Sequence, residues 1–221
     1  HGGMDKTELN SENLEALEKG LPNLLRHVSN IKNVYKLPSV VALNRFPTDT
    51  DREVDLVIKK CKELGVNVVL STVWADGGKG GIDLANEVIR LCNEDNSTFE
   101  FSYELEDSIE NKINSIVKKI YGGNSVEFTP EAREQINRLT DLGFDKLPIC
   151  IAKTQYSFSD DMTKLGAPTD FTVTVREVKV SSGAGFIIAL TGAIMTMPGL
   201  PKVPAAEKID VNSDGKIIGL F

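Results

Sequence analysis

The stretch SVVALNRFPTDTDREVDLVIKKC, residues 39–61, decides how the rest of the chain is read. Val40 to Leu43 is a short apolar run of strand length, and it stops at Asn44-Arg45-Phe46-Pro47. Thr50, with Glu53 three residues on, is a capping box, so a helix starts there. Its apolar stripe is Val54, Val57, Ile58, Cys61 and Leu64, and Gly65 ends it as a left-handed cap. A second strand, Val66 to Ser71, runs into TVWADGGKGG, and the helical pattern resumes from Ile82 to Leu91. Strand, helix, strand, helix with short links is the pattern of a parallel sheet. In an open α/β sheet, ligands bind where strands end, and that is where Phe46 stands.

Outward from this unit the pattern changes. Upstream, Leu14, Leu17, Leu21, Leu24, Leu25, Val28 and Ile31 recur at helical spacing, with Asn10-Ser11 as the expected cap. Pro22 is expected to kink that helix or divide it. Downstream, NEDNSTFEFSYE reads as a crossing to a second lobe, followed by a helix through Leu105, Ile109, Ile113, Ile116 and Ile120 that closes at Gly122-Gly123. Thr129-Pro130-Glu131 supplies a cap, a first helical position and a dipole-favoured acid, with Ile136, Leu139 and Leu142 behind them and Gly143 at the end. Leu147 to Ala152, the alternation of Phe171, Val173 and Val175, and Phe186 to Leu190 read as strands. The expected class is therefore α/β: part of a parallel-sheet domain over residues 1–98, then a smaller C-terminal α+β lobe over residues 99–221.

Composition narrows the functions. The chain of 221 residues is 41% hydrophobic and 26% charged, ordinary for a globular protein with a real core. A net charge of -7 speaks against a nucleic-acid partner, which needs Lys and Arg to neutralise phosphates. The longest apolar run is strand-sized, so no membrane span is expected. Three scattered cysteines, Cys61, Cys92 and Cys150, suggest reduced thiols and a cytoplasmic setting, with burial expected for Cys61 and Cys150. With His1 and His27 the only histidines, there is little material for a zinc site or a histidine-based triad, and neither a catalytic residue nor a metal ligand is assigned.

Each candidate motif has a plain reading beside it. Asp210, Asn212, Asp214 and Gly215 fit the start of an EF-hand loop, but its twelfth position is Phe221 instead of glutamate, so an Asx-type turn is the better account. Asp76 to Gly81, DGGKGG, offers backbone N–H groups and Lys79 to an anion at a helix start, and serves equally as a flexible turn. The sequence contains no G-x-x-x-x-G-K-[ST] phosphate loop. Phe46 and Trp74, each just past a strand, either flank a crevice that sandwiches a flat heterocycle or are rim residues of the core. AKTQYSFSDD, residues 152–161, is a polar wall or, by default, a solvated loop.

VVALNRFPTDTDREV, STVWADGGKGGIDLA, LPICIAKTQYSFSDD, the run from Gly166 to Val211, and DGKIIGLF together resemble the C-terminal part of formate–tetrahydrofolate ligase, over essentially the whole chain. His1-Gly2-Gly3 resembles the end of the signature RALKxHGG, which implies that residue 1 is an internal position of a longer protein. The resemblance implies a P-loop-NTPase-like domain whose phosphate loop lies outside this sequence, and ATP-dependent joining of formate to tetrahydrofolate through formyl phosphate. It implies ATP and magnesium, activation by a monovalent cation, and a homo-tetramer. Phe46 and Trp74 match the positions that stack on the pterin and its neighbouring ring, Pro47 shapes the slot, and Leu70 lies near the nucleotide or intermediate; Asn44 is grouped with them at the strand end. Thr72 and Asp76 depart from the family pattern of an acidic and a basic residue. The chain is thus expected to supply a folate wall and to be inactive alone; the rival readings are a packing or oligomerisation module of the same enzyme and a different nucleotide-binding protein of similar fold.

Overall fold

Thr50 opens the helix that the sequence marks for it. Its Oγ1 accepts from the Glu53 N–H at 3.3 Å, and the Glu53 carboxylate accepts from the Thr50 N–H at 3.0 Å. The helix α2 (Asp51–Glu63) buries Val54, Val57 and Cys61, while Leu64 lies past its end and is exposed. Gly65 follows at φ +65°, a backbone that glycine adopts without strain. In this computed structural model, which describes residues 1–94, 98–194 and 202–219, α2 connects β1 (Val40–Asn44) to β2 (Asn67–Ser71). The two strands are parallel, with Val40 opposite Asn67 and Asn44 opposite Ser71.

The first helix, α1 (Leu14–Ser29), packs on this unit through Leu21, with Leu17, Leu24 and Leu25 against Val57, Cys61, Val41 and Leu43. Its cap is Asn13, whose Oδ1 accepts from Ala16 N–H at 2.9 Å, rather than Asn10-Ser11. The later start lets the Asn13 N–H donate to Glu53 at 3.1 Å, so one carboxylate ties the first turns of both helices. Pro22 does not divide the helix. It is exposed, as is Glu18, whose carbonyl it leaves without an N–H, so water meets that carbonyl while the apolar stripe holds the helix together. The helix runs on into a wide π turn, Asn30–Val34.

Past β2 come the short helix α3 (Val73–Asp76), a 3-10 turn (Gly77–Gly81) and α4 (Ile82–Asn93). Residues 95–97 of the expected crossing lie outside the described residues. The next helix, α5 (Ile109–Ile116), is capped by Ser108 and runs into a second π turn, Val117–Tyr121. Leu105 is therefore outside it, and exposed. β3 (Ser125–Phe128), α6 (Pro130–Asp141), β4 (Ile149–Ala152), β5 (Thr172–Ser181) and β6 (Phe186–Thr191) follow. Their strands lie in the order β3-β5-β6-β4; β3–β5 and β4–β6 are parallel, and β5–β6 is antiparallel. A second core joins Ile109, Ile113 and Val117 to Ile136, Leu139, Val173, Val175 and Ile187. The result is a mixed α/β architecture with parallel strand pairs in two separate sheets. No helix among the described residues is long and apolar enough to cross a membrane.

Several expectations need correcting. Cys61 is buried, but Cys150 is exposed: β4 is an edge strand, and its alternation turns Ile149 and Ile151 to the core and Cys150 away. Leu142 is exposed past the end of α6. The segment after β4 is no solvated loop, since Thr154, Ser157, Phe158 and Ser159 are all buried. β3 was not foreseen. The acidic tail is a small hairpin of β7 (Asp210–Val211) and β8 (Ile217–Ile218), where Asn212 Oδ1 accepts from the Asp214 N–H at 3.0 Å and the Lys216 N–H at 2.9 Å, an Asx turn as expected. Phe221 and residues 195–201 lie outside the described residues.

The shared cap makes a pH-dependent prediction. Hydrogen bonds from the Thr50 N–H first, then from Asn13, hold the Glu53 carboxyl below its ordinary range. Such a group stabilises the fold above its unfolded pKa of about 4.3, and that contribution is lost as pH falls through the lower folded value. Thr50→Ala should cost about 1 kcal/mol at pH 7. Denaturant melts should show Glu53→Gln less stable than the parent at neutral pH, with the gap closing as pH drops below about 4.

Candidate functional site

The register of β1 and β2 brings two loops to one level. Phe46 lies two residues past Asn44, and Trp74 three past Ser71, and Asn44 and Ser71 are direct partners. The Arg45 N–H extends the ladder by donating to Ser71 O at 3.1 Å. Asp49 then closes the loop: its Oδ2 accepts from the Phe46 N–H at 2.8 Å, and its own N–H donates to Phe46 O at 3.0 Å. Pro47 and Thr48 form the exposed tip of this turn. Arg45 reaches back to Asp51 at 2.7 Å. The backbone of Phe46 is thereby clamped on both sides while the residue remains 47% exposed.

Trp74 is held by a different device. The Thr72 N–H donates to Gly80 O at 3.1 Å, and Thr72 O accepts from Ala75 and Asp76 at 3.0 and 2.8 Å. The DGGKGG segment is thus folded back against the strand end. Gly80 is needed there because a Cβ would sit 2.4 Å from the Thr72 carbonyl carbon. Asn67 Nδ2 donates to Glu87 at 2.8 Å and Arg90 pairs with the same carboxylate at 2.7 Å, which fixes α4 against β2 and holds the Glu87 carboxyl down at about 2. On this anchored loop Trp74 is 69% exposed, and its indole makes no hydrogen bond among the described residues.

The rings of Phe46 and Trp74 meet with centroids 6.3 Å apart, tilted by 52°. A flat ligand between them would need parallel rings about 7–8 Å apart, two layers of ordinary carbon contact. The structure therefore offers an aromatic corner with free outer faces, and a sandwich requires the exposed indole to turn. Asn44 is exposed at the end of β1, and Leu70, opposite Leu43, is half-buried just beneath. All five residues singled out from the sequence, Asn44, Phe46, Pro47, Leu70 and Trp74, are on one end of one sheet. Lys153 and Thr154 are not; they follow β4 in the other sheet. No group of three His, Cys, Asp or Glu residues among those described is placed to hold a metal ion.

Sequence reasoning overlooked Asp49, and within DGGKGG it gave Gly80 no bracing role; both position the aromatic residues. The signal for Asp49 was present: an aspartate three residues past Phe46, beside Pro47, is turn chemistry. Gly80 carried none, because its role depends on a contact with Thr72 that only the folded loop creates.

Gly80→Ala should push the loop off Thr72 and cost about 1–3 kcal/mol, the usual range for overpacking. Trp74 is the only tryptophan, so its emission should change with the loop. An unaltered spectrum with an unaltered melting temperature would show that the loop is not braced at Thr72.

Compared with known protein families, the chain matches the family model of formate–tetrahydrofolate ligase along residues 1–221.

Proposed function

The chain belongs to the formate–tetrahydrofolate ligase family, whose members join formate to tetrahydrofolate with ATP, and we propose that it contributes the folate-facing wall of such an enzyme. The observation that carries this reading is the exposed Phe46–Trp74 corner, built by the register of two parallel strands and clamped from behind by Asp49 and Gly80. Exposed rings cost solvation unless something flat covers them, and the pterin of a folate is flat and aromatic. Pro47 shapes the approach to Phe46, Asn44 presents a polar edge, and Leu70, one residue before the end of β2, lies near the nucleotide or the intermediate.

In this reading residues 1–98 are part of a P-loop-NTPase-like domain and residues 99–221 a C-terminal α+β lobe. The chemistry balances in two steps. A formate oxygen attacks the γ-phosphorus of ATP, expelling ADP and giving formyl phosphate; N10 of tetrahydrofolate then attacks the formyl carbon, phosphate leaves, and the nitrogen loses its proton. The first step calls for cationic stabilisation of the phosphoryl oxygens by magnesium and a phosphate loop. This sequence has no G-x-x-x-x-G-K-[ST] segment, which supports assigning that role to chain outside it. A monovalent cation and tetrameric assembly belong to the same proposal. A second reading, a packing or oligomerisation module, draws support from α4: none of its residues is buried, and Ile82, Val88 and Ile89 are exposed.

The folate reading is tested by titrating the chain with tetrahydrofolate while following Trp74 emission, with free tryptophan as the inner-filter control. Saturable quenching is expected, and Phe46→Ala should weaken it by about 0.5–1.5 kcal/mol, roughly 2- to 12-fold in Kd. Emission that stays flat up to roughly millimolar folate, a binding energy near −4 kcal/mol, would leave the packing module as the better account.

Incubated alone with formate, ATP, magnesium and tetrahydrofolate, the purified 221-residue chain should form no 10-formyltetrahydrofolate. Turnover that copurifies with the chain through successive columns would overturn the placing of the phosphate site elsewhere.

A further inference from the structure

A pocket of about 240 Å³ opens where the two cores meet, between the end of α1 and the segment after β4. The two π turns join beside it: Asn30, buried in the first, donates its amide N–H to Ile120 O of the second at 2.9 Å. Such a seam is where ligand pockets tend to form. The chain has a net charge of -7, yet no Asp or Glu lines this pocket. Its polar lining includes Lys153, His27, His1, Tyr121, Gln155 and Ser157.

Lys153 is the central group. Its Nζ donates to Thr154 O at 2.8 Å and to Ser157 O, and lies 5.3 Å from the centre of the Tyr121 ring. Two carbonyls leave one N–H of the ammonium uncommitted. No carboxylate lies within ion-pair distance of it among the described residues, and half-burial lowers its pKa, opposed by the charge of Asp160. A partly desolvated ammonium without a counter-charge is costly, and an anion in the pocket would offset that cost. The neighbours suit such a guest. His27, on the exposed rim against Phe158 at 4.6 Å, makes no hydrogen bond among the described residues, so its ring nitrogens are available. His1 Nδ1 accepts from the Gly166 N–H at 3.1 Å, which in the neutral ring puts the proton on Nε2 as a further donor. The Tyr121 hydroxyl has no protein partner among the described residues either.

We propose that this pocket is a binding site for a small oxyanion, a phosphate or a carboxylate, held by Lys153 with His27 at the mouth. It lies apart from the Phe46–Trp74 corner and does not depend on that reading. With two histidines in the chain, ¹³C-histidine labelling gives two ring signals, assigned by His27→Gln. Titration at pH 7 with sodium phosphate, and separately with sodium acetate, is compared with sodium chloride at equal ionic strength. An oxyanion beside His27 favours its protonated form, so its signal should move saturably toward the imidazolium position, at concentrations below about 10 mM for the better anion. Whichever salt saturates first identifies the guest as phosphate or carboxylate. Lys153→Gln should weaken the saturable shift at least tenfold; if that variant does not fold, Gln155→Glu on the exposed rim should do the same by repulsion. A His27 signal that follows phosphate and acetate no further than chloride, or affinity unchanged in the folded variant, overturns the proposal.

Discussion

The pairing of Asn44 with Ser71 is the constraint on which the candidate site rests. In a parallel pair both strands end on the same side, so the loops that follow them must share one edge. A shift of one residue would turn Leu43 and Val41 out of the first core and move Phe46 out of level with Trp74. The apolar pattern that buries β1 against α1 and α2 therefore also sets the level of the aromatic corner. Glu53 reinforces it, since its carboxylate ties the first turn of α1 to that of α2.

The parts of this arrangement that were legible in the sequence are those decided locally. The Thr50–Glu53 box, the glycine after α2 and the Thr129-Pro130 start of α6 depend on residues within a few positions of one another, and they stand where the sequence placed them. The parallel link between β1 and β2 was legible because thirteen helical residues between short strands leave few other connections. What the sequence hid was decided at a distance. β3 is four residues long and acquires its partner from β5, more than forty positions on. Cys150 is exposed against expectation because an apolar run does not say which strand becomes the sheet edge. At the candidate site Asn44, Phe46, Pro47 and Trp74 were legible as strand-end residues and Leu70 only through the family resemblance, whereas the tilt of the two rings was not legible, because it follows from the closure of the Thr72–Gly80 loop.

The two desolvated lysines, Lys112 and Lys153, meet different surroundings at the two ends of β4. Lys112 sits on α5 with no exposed surface, and nothing in the helical pattern around it announces burial. Its Nζ donates to Asp145 O at 2.6 Å and Leu147 O at 3.1 Å; burial and the charge of Lys146 lower its pKa, opposed by the charges of Asp145, Asp107 and Glu106. That lysine is a clip, closing the turn before β4 onto α5. Lys153, at the other end of β4, also donates to two carbonyls, but only Asp160 supports its charge and a cavity without acids lies in front of it.

The contrast follows from how β4 is anchored. Its N-terminal end is fixed by Lys112 and by the Ile149 N–H, which donates to the Tyr103 hydroxyl at 2.9 Å. Its C-terminal end is fixed by Thr191, which donates to Ala152 O at 3.1 Å, so the chain leaves the sheet at a set point and direction. Ser157, Phe158 and Ser159 then bury themselves within a few residues, which bends the segment tightly around the Lys153 side chain. Phe158 packs on His27 from α1, and Asn30 on the same face bonds to Ile120. The angle left between a helix end and this bend is reached by Asn30, which ties the two π turns, and by Lys153 and His27, with Ile120 and Phe158 supplying apolar surface beside them. The cavity and its acid-free lining therefore have a common origin in the way the two cores are joined.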